Sequence, residues 1–253
     1  MAERNPVVRI LARVGTATIG LLHILIGVIA IAVAFGAGGG GDADQAGAFQ
    51  ALTGVAGGIF VVWACAVGLV ALTLWQILQT VVAHKATTRV SEIAKGVVYA
   101  VLAVTAIGIA LGGGQDSSNS EKSASSQLLG TPGGVFVLGA IGLVIVGVGI
   151  GFLSIGIRKT FTRGLALPAN GLAPATVTLG RIGYIAKGVA LGIVGGLVVA
   201  GAVTYDPQKA GGLDGALKSL THIPFGVVLL VVIGLGLLAY GVFWCVRSVA
   251  IRL

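Results

Sequence analysis

Charge is what this chain of 253 residues has least of. Only 9% of its positions are Asp, Glu, Lys or Arg, against roughly 25% in a soluble domain. A surface so poor in charge is not built for water, which excludes an ordinary soluble globule. Acidic residues are the scarcer kind, eight against 16 basic. The resulting charge of +8 does not point to nucleic acid, because the basic residues follow the ends of apolar runs instead of forming a phosphate-binding face. Cysteine is nearly absent. Cys65 lies near the middle of an apolar run and Cys245 near the end of another, and that difference in depth argues against a disulfide. There is no CxxC and no His/Cys cluster, so neither a metal nor a cofactor is expected. Paired carboxylates within a span, a nucleophile–His–acid set and a phosphate loop after a strand are also missing, so no enzymatic activity is expected. The glycine-rich stretch 36–41 leads into an acidic loop that would repel phosphate.

What the chain does have is hydrophobicity (56%), glycine (43 residues) and internal repetition. Arg13-Val14-Gly15, Arg89-Val90-Ser91 and Arg181-Ile182-Gly183 each open a copy of one pattern, and each Arg is followed seven positions on by a glycine: Gly20, Gly96 and Gly188. A second glycine follows 38 positions later, at Gly58, Gly134 and Gly226, and opens an apolar run. Repeats decide architecture before any single residue does. The copies fall at 9–84, 85–160 and 177–253, with a connecting segment at 161–176 whose Pro168, Asn170, Gly171 and Pro174 predict an irregular loop.

A transmembrane helix needs about 20 mainly apolar residues. Six runs qualify, roughly 14–36, 54–83, 92–113, 133–157, 181–204 and 224–248. The first follows basic residues and could be mistaken for a signal peptide, but it is the repeat equivalent of the spans at 92 and 181. Thirteen Lys and Arg fall on one side of these spans and three on the other, which predicts cytoplasmic termini. The predicted fold is all-α and polytopic: three parallel-repeat helical hairpins with pseudo-threefold symmetry about the membrane normal. The outer loops 42–53, 116–131 and 206–222 turn amphipathic, with Leu213, Leu217 and Leu220 at helical spacing, and predict short helices on the outer surface. Pro132 and Pro224 are expected in the first turn of their spans.

Glycines within the spans carry two readings, tight helix packing or transporter hinges. Gly188, Gly192 and Gly196 form small-xxx-small steps, as do Gly54/Gly58 and Gly147/Gly151, and packing is expected at the repeat glycines as well. His23, Tyr99 and Leu191 occupy equivalent positions four residues after Ile19, Lys95 and Lys187. Thr16, Glu92 and Tyr184 lie three residues before that second set, on the same helix faces. Glu92 and Lys95 can pair at i,i+3. His23 lies about 15 Å beyond Arg13 at 1.5 Å per residue, near the midplane, where an ionisable group is a site candidate or a neutral hydrogen-bond donor to a neighbouring helix. Lys95 and Lys187 either snorkel to the interface or join His23, Glu92 and Tyr99 in a positive vestibule suited to an anion or lipid headgroup. Thr73, Gln76 and Gln79 are expected to bridge helices. Trp75, Trp244, Tyr184 and Tyr205 are expected in an interfacial belt.

The stretch Arg181-Ile182-Gly183-Tyr184-Ile185-Ala186-Lys187-Gly188, with Gly215-Ala216-Leu217 and Pro224-Phe225-Gly226, resembles the bacterial membrane family known as domain of unknown function 1206. The resemblance runs from about Arg9 to Arg252. It implies three tandem two-helix repeats and no activity, substrate or site. The first repeat departs from it at Ile19, where the other two have lysine. The functional expectation is a non-enzymatic scaffold or accessory subunit whose partners are the lipid bilayer and a second membrane protein or copy of itself. A small transporter or channel, or a lipid-binding protein, is the alternative.

Overall fold

The computed structural model describes residues 6–36, 42–54, 56–82, 86–113, 117–162 and 173–250. Among these residues the chain is all helical and has no strand. The order is α1 (Pro6–Ala34), α2 (Gln45–Thr53), α3 (Gly58–Val82), α4 (Ala86–Ala110), α5 (Ser117–Leu129), α6 (Gly134–Arg158), α7 (Ala173–Thr204), α8 (Gly212–Leu220) and α9 (Gly226–Ala250). Short 3-10 turns occupy Thr160–Thr162 and Pro207–Lys209. Helix is what an apolar chain must form where no water is present to satisfy its backbone.

Of the six expected spans, α1, α3, α6, α7 and α9 are long and apolar enough to cross a membrane. In α4 the apolar stretch Lys95–Ala110 is shorter than in those five. The expected loop before the fifth span is shorter than its sequence suggests: α7 already begins at Ala173, with Pro174 in its first turn, where a missing N–H costs little. The rest of that loop, 163–172, lies outside the described residues. The outer segments form helices in all three repeats: α2, α5 and α8.

The chain divides into two compact units, Met1–Ala48 with Asp116–Leu253, and Phe49–Gln115. The division does not follow the repeats. The smaller unit joins the second long helix of repeat one to the first of repeat two, α3 against α4. In the larger unit α1 packs on α9, α6 on α7, and α7 on α9.

Glycine makes these pairings. A Cβ on Gly20 would stand 2.7 Å from the Gly241 carbonyl oxygen, and one on Gly27 would stand 2.7 Å from that of Gly234. In α6 and α7, Gly149 faces the Gly188 oxygen at 2.9 Å and Gly142 faces that of Gly195 at 3.0 Å. These distances are shorter than side chains tolerate, so the backbones touch and only glycine fits. Both helix pairs are antiparallel. The two seams are repeat equivalents, since Gly142 and Gly149 lie 92 positions before Gly234 and Gly241. Each seam steps by seven residues, two helical turns, which keeps the glycines on one face. In the smaller unit the matching positions hold Ala66, Ala103, Thr73 and Gly96. Here Gly96 meets the Gln76 side chain at 3.3 Å instead of another glycine.

Several expected packing glycines do something else. Gly192, Gly196, Gly147 and Gly151 have open space where a side chain would begin, because the seam uses the seven-residue step and not the four-residue one. Gly54 meets nothing closer than Ala51 O at 3.5 Å. Gly58, Gly134 and Gly226 each open a long helix directly after a tight turn. A Cβ on each would overlap the carbonyl oxygen of Leu52, Leu128 or Leu220, at the end of the preceding outer helix. The residue just before each takes a positive φ: Gly57 at 79°, Gly133 at 78° and Phe225 at 61°. The third copy thus tolerates a phenylalanine where the backbone favours glycine. Pro132 and Pro224 lie in these turns, before α6 and α9 begin.

The seam predicts opposite signs for one substitution. Gly→Ala at 20, 149, 188 or 241 should lower the thermal midpoint of the detergent-purified protein, through overpacking of about 1–3 kcal/mol. Gly147→Ala and Gly196→Ala should raise the midpoint, through up to about 1 kcal/mol of helix propensity. A common sign across both sets would refute the seam.

Candidate functional site

The α1/α9 and α6/α7 seams, together with the packing of α7 on α9, bring four polar or aromatic side chains together inside the larger unit. His23 comes from α1, Lys187 from α7, Tyr240 from α9 and Phe152 from α6. Lys187 Nζ lies 2.9 Å from His23 Nε2. His23 Nδ1 lies 2.8 Å from the Ile19 carbonyl oxygen one turn earlier, so the N–H is placed on Nδ1 and the Nε2 lone pair accepts from the ammonium. The His23 ring meets Tyr240 edge to face at 4.8 Å. Lys187 Nζ also lies 4.7 Å from the Tyr240 ring centre and 5.0 Å from that of Phe152. An imidazole and two aromatic faces therefore solvate the ammonium inside an apolar body, and among the described residues no carboxylate pairs with it.

Lys187 points inward to His23. The other three residues of the expected vestibule belong to the smaller unit. There Lys95 Nζ pairs with Glu92 at 2.8 Å on its own helix, and the buried Gln76 of α3 donates to the second oxygen of Glu92. Gln76 thus bridges helices as expected, whereas Thr73 bonds Leu69 O of its own helix and Gln79 is exposed. Tyr99 is half-buried in α4.

Sequence reasoning missed Phe152 and Tyr240, which no spacing connects to His23. It also misplaced Tyr184. With Phe161, Tyr240 and Phe243 that residue forms a buried aromatic cluster, so it does not belong to an interfacial belt. Trp75 and Tyr205 are exposed. Phe161 stacks on Tyr184 at 5.1 Å, and Phe243 meets Phe161 edge to face at 5.2 Å. Lys159, in the left-handed region (φ 55°), ends α6 and turns the chain so that Phe161 reaches this cluster. Arg247 lies over Trp244 at 4.8 Å.

At the opposite end of the same unit the outer helices carry a polar cap. Asp214 is buried in α8, where its Oδ1 accepts the Ala43 N–H at 2.8 Å and its Oδ2 pairs with Lys218 at 2.8 Å. Lys218 reaches Asp42 as well, at 3.2 Å. Burial acts to lower the Lys218 pKa, but the ion pairs with Asp214 and Asp42 outweigh it and hold the amine above its ordinary value. Asp44 accepts the Gly47 N–H at 2.9 Å and caps α2. Glu121 of α5 lies against Gly212, and its carboxyl is pushed up to about 7 by desolvation and then by the charges of Asp44, Asp214 and Asp42. A shallow polar cleft of about 330 Å³ opens beside this cap, lined by Ser118, Asn119, Lys122, Lys218 and His222 among others.

Two predictions follow from this geometry. Removing only the acceptor, by His23→Leu, leaves a buried ammonium short of a partner and should cost about 1–3 kcal/mol. The double variant His23→Leu/Lys187→Met should regain part of that loss in thermal unfolding, and strict additivity would mean the two do not interact. For the cap, the folded state binds a proton at Glu121 that the unfolded state has released between pH 4.5 and about 7. Stability must therefore fall as pH rises through that window. Glu121→Gln should flatten this part of the pH–stability curve, and an unchanged slope would remove Glu121 as its source.

The family model described as "Domain of Unknown Function (DUF1206)" matches three times in tandem, at 14–83, 90–159 and 182–250. The chain is similar to "Uncharacterized protein YxxB" of Bacillus subtilis (strain 168), with 27% identity over 257 residues that span 98% of this chain and 92% of that protein. No solved structure matches.

Proposed function

The chain belongs to the family described as Domain of Unknown Function (DUF1206), and from that premise we propose that it is a non-enzymatic integral protein of the bacterial cell (inner) membrane, a scaffold or accessory subunit. The observation that carries this reading is the way the larger unit uses its polar groups. His23 and Lys187 satisfy each other between helices whose neighbours touch backbone to backbone. A body packed in this way holds a shape and presents surfaces; it does not gate a pathway. Phe60, Phe136, Val144 and Leu229 are among the many large apolar side chains that face outward on the long helices, which suits a lipid environment and a membrane partner or second copy.

We take α4 as the sixth span. Its 25 residues reach about 38 Å at 1.5 Å per residue, and the Lys95 and Gln76 contacts offset the charge of Glu92. The distribution of basic residues supports cytoplasmic termini. The equivalent glycine seams and the repeated turn at Gly58, Gly134 and Gly226 support pseudo-threefold organisation. A transporter or lipid-binding role is the second reading, favoured by the ammonium of Lys187, which pairs with no carboxylate among the described residues.

Reporter fusions after Lys85, Arg163 and Leu253 should read cytoplasmic, and fusions after Asp44, Glu121 and Lys209 external. An odd number of spans would overturn the architecture. In a background without Cys65 and Cys245, cysteines at 23 and 187 should resist membrane-impermeant thiol reagents from either side. Labelling of both from the cytoplasm would replace the scaffold with a pathway.

A further inference from the structure

The larger unit is strongly polarised end to end. Because α1 and α7 run against α6 and α9, the N-terminal parts of the first pair and the C-termini of the second share one end. There Arg13, Arg158, Lys159 and Arg181 are exposed and Arg247 is half-buried. Among the described residues of this unit no carboxylate stands at that end. Asp42, Asp44, Glu121, Asp206 and Asp214 all belong to the other end, where Lys209 and Lys218 pair with three of them. The acidic end is thus partly neutralised within the chain, whereas the basic end is not.

The basic end is also built around one floor. Gly180 of α7 lies against Phe161 and Phe243, and Gly183 against Tyr240, so the segment holding Arg181 is seated directly on the aromatic cluster. Phe161 follows Lys159 by two residues and stacks on Tyr184. The Arg247 guanidinium carbon lies 4.8 Å from the centre of the Trp244 ring, at the edge of the same cluster. Three chain segments therefore present cations around a single aromatic platform. Each also carries an exposed apolar side chain within two residues of its cation in sequence: Ile157 (60% exposed), Ile182 (48%) and Val249 (75%).

We propose that this end binds an anionic phospholipid, with the phosphate held by Arg158, Lys159, Arg181 and Arg247 and the acyl chains lying on Ile157, Ile182 and Val249. Charge alone would suit any anion. The apolar side chains beside the cations select an amphiphile, because they bury hydrocarbon only when the anion carries it. Guanidinium groups suit phosphate, since their fork of N–H donors matches two of its oxygens. The inference rests on the reading of the larger unit as membrane-spanning, and it holds whichever side of the membrane this end faces.

The test uses the full chain in nanodiscs of phosphatidylcholine with increasing phosphatidylglycerol, with thermal midpoint and retained lipid (by native mass spectrometry) as readouts. Phosphatidylglycerol should be retained preferentially and should raise the midpoint, and added salt should weaken both effects. Each exposed cation removed, as Arg158→Gln, Lys159→Gln or Arg181→Gln, should weaken retention about fivefold. Lys122→Gln and Lys209→Gln at the other end should leave it unchanged. Arg247→Lys, which keeps the charge and loses the planar fork, should weaken it in part. Retention equal to that of phosphatidylcholine, or equal losses from the variants at both ends, would overturn the proposal. So would full stabilisation by inorganic phosphate alone, which would make the ligand a free anion. None of these outcomes touches the scaffold reading, which topology and thiol accessibility judge separately.

Discussion

Backbone contact between glycines is the constraint on which the larger unit depends. In lipid, helices gain nothing from hiding apolar surface, because the surrounding chains are as apolar as they are. Dispersion and close approach must supply the attraction. Gly20 with Gly241, Gly27 with Gly234, Gly149 with Gly188 and Gly142 with Gly195 bring the paired backbones together. The equivalence of the two seams shows how duplication of one unit yields a multi-helix body, with the first helix of one repeat docking on the second helix of another.

The polar features are consequences of this docking. Lys187 is tolerable within an apolar body because α1 delivers His23, α9 delivers Tyr240 and α6 delivers Phe152 to the same point. The outer cap obeys a similar logic. Asp214 is buried without penalty because an N–H from the loop before α2 and the Lys218 amine both meet it. Glu121, beside the same aspartates without such an amine, is pushed toward neutrality. Placement of each partner, more than the type of residue, separates a stable buried charge from a strained one.

Much of this was legible in the sequence for a specific reason. Repeat spacing survives as spacing in three dimensions, so the equivalence of Gly58, Gly134 and Gly226 could be found by counting. Their role could not, because a turn glycine pressed on a carbonyl and a glycine in a helix seam look alike in one dimension. The same ambiguity made Gly192 and Gly196 resemble a packing stripe, although the four-residue step they follow points away from the partner helix. Tyr184 was read as interfacial because Tyr often is, whereas Phe161, Phe243 and Tyr240 converge on it from segments far apart in the chain. The i,i+3 pair of Glu92 and Lys95 was legible because both residues sit on one helix, where spacing alone sets the distance.

Composition and periodicity by themselves determined that this chain is helical, apolar and built of three copies, because hydropathy and repeat length are properties of the chain taken in order. They also separated the basic ends of the helices from the acidic ones. Only the tertiary structure decided which helix each glycine faces, that His23 and Lys187 share a hydrogen bond, and that Arg247, Lys159 and Arg181 ring one aromatic floor. Each of these joins residues distant in sequence, and their distance is set by how antiparallel helices settle against one another, which no local spacing records.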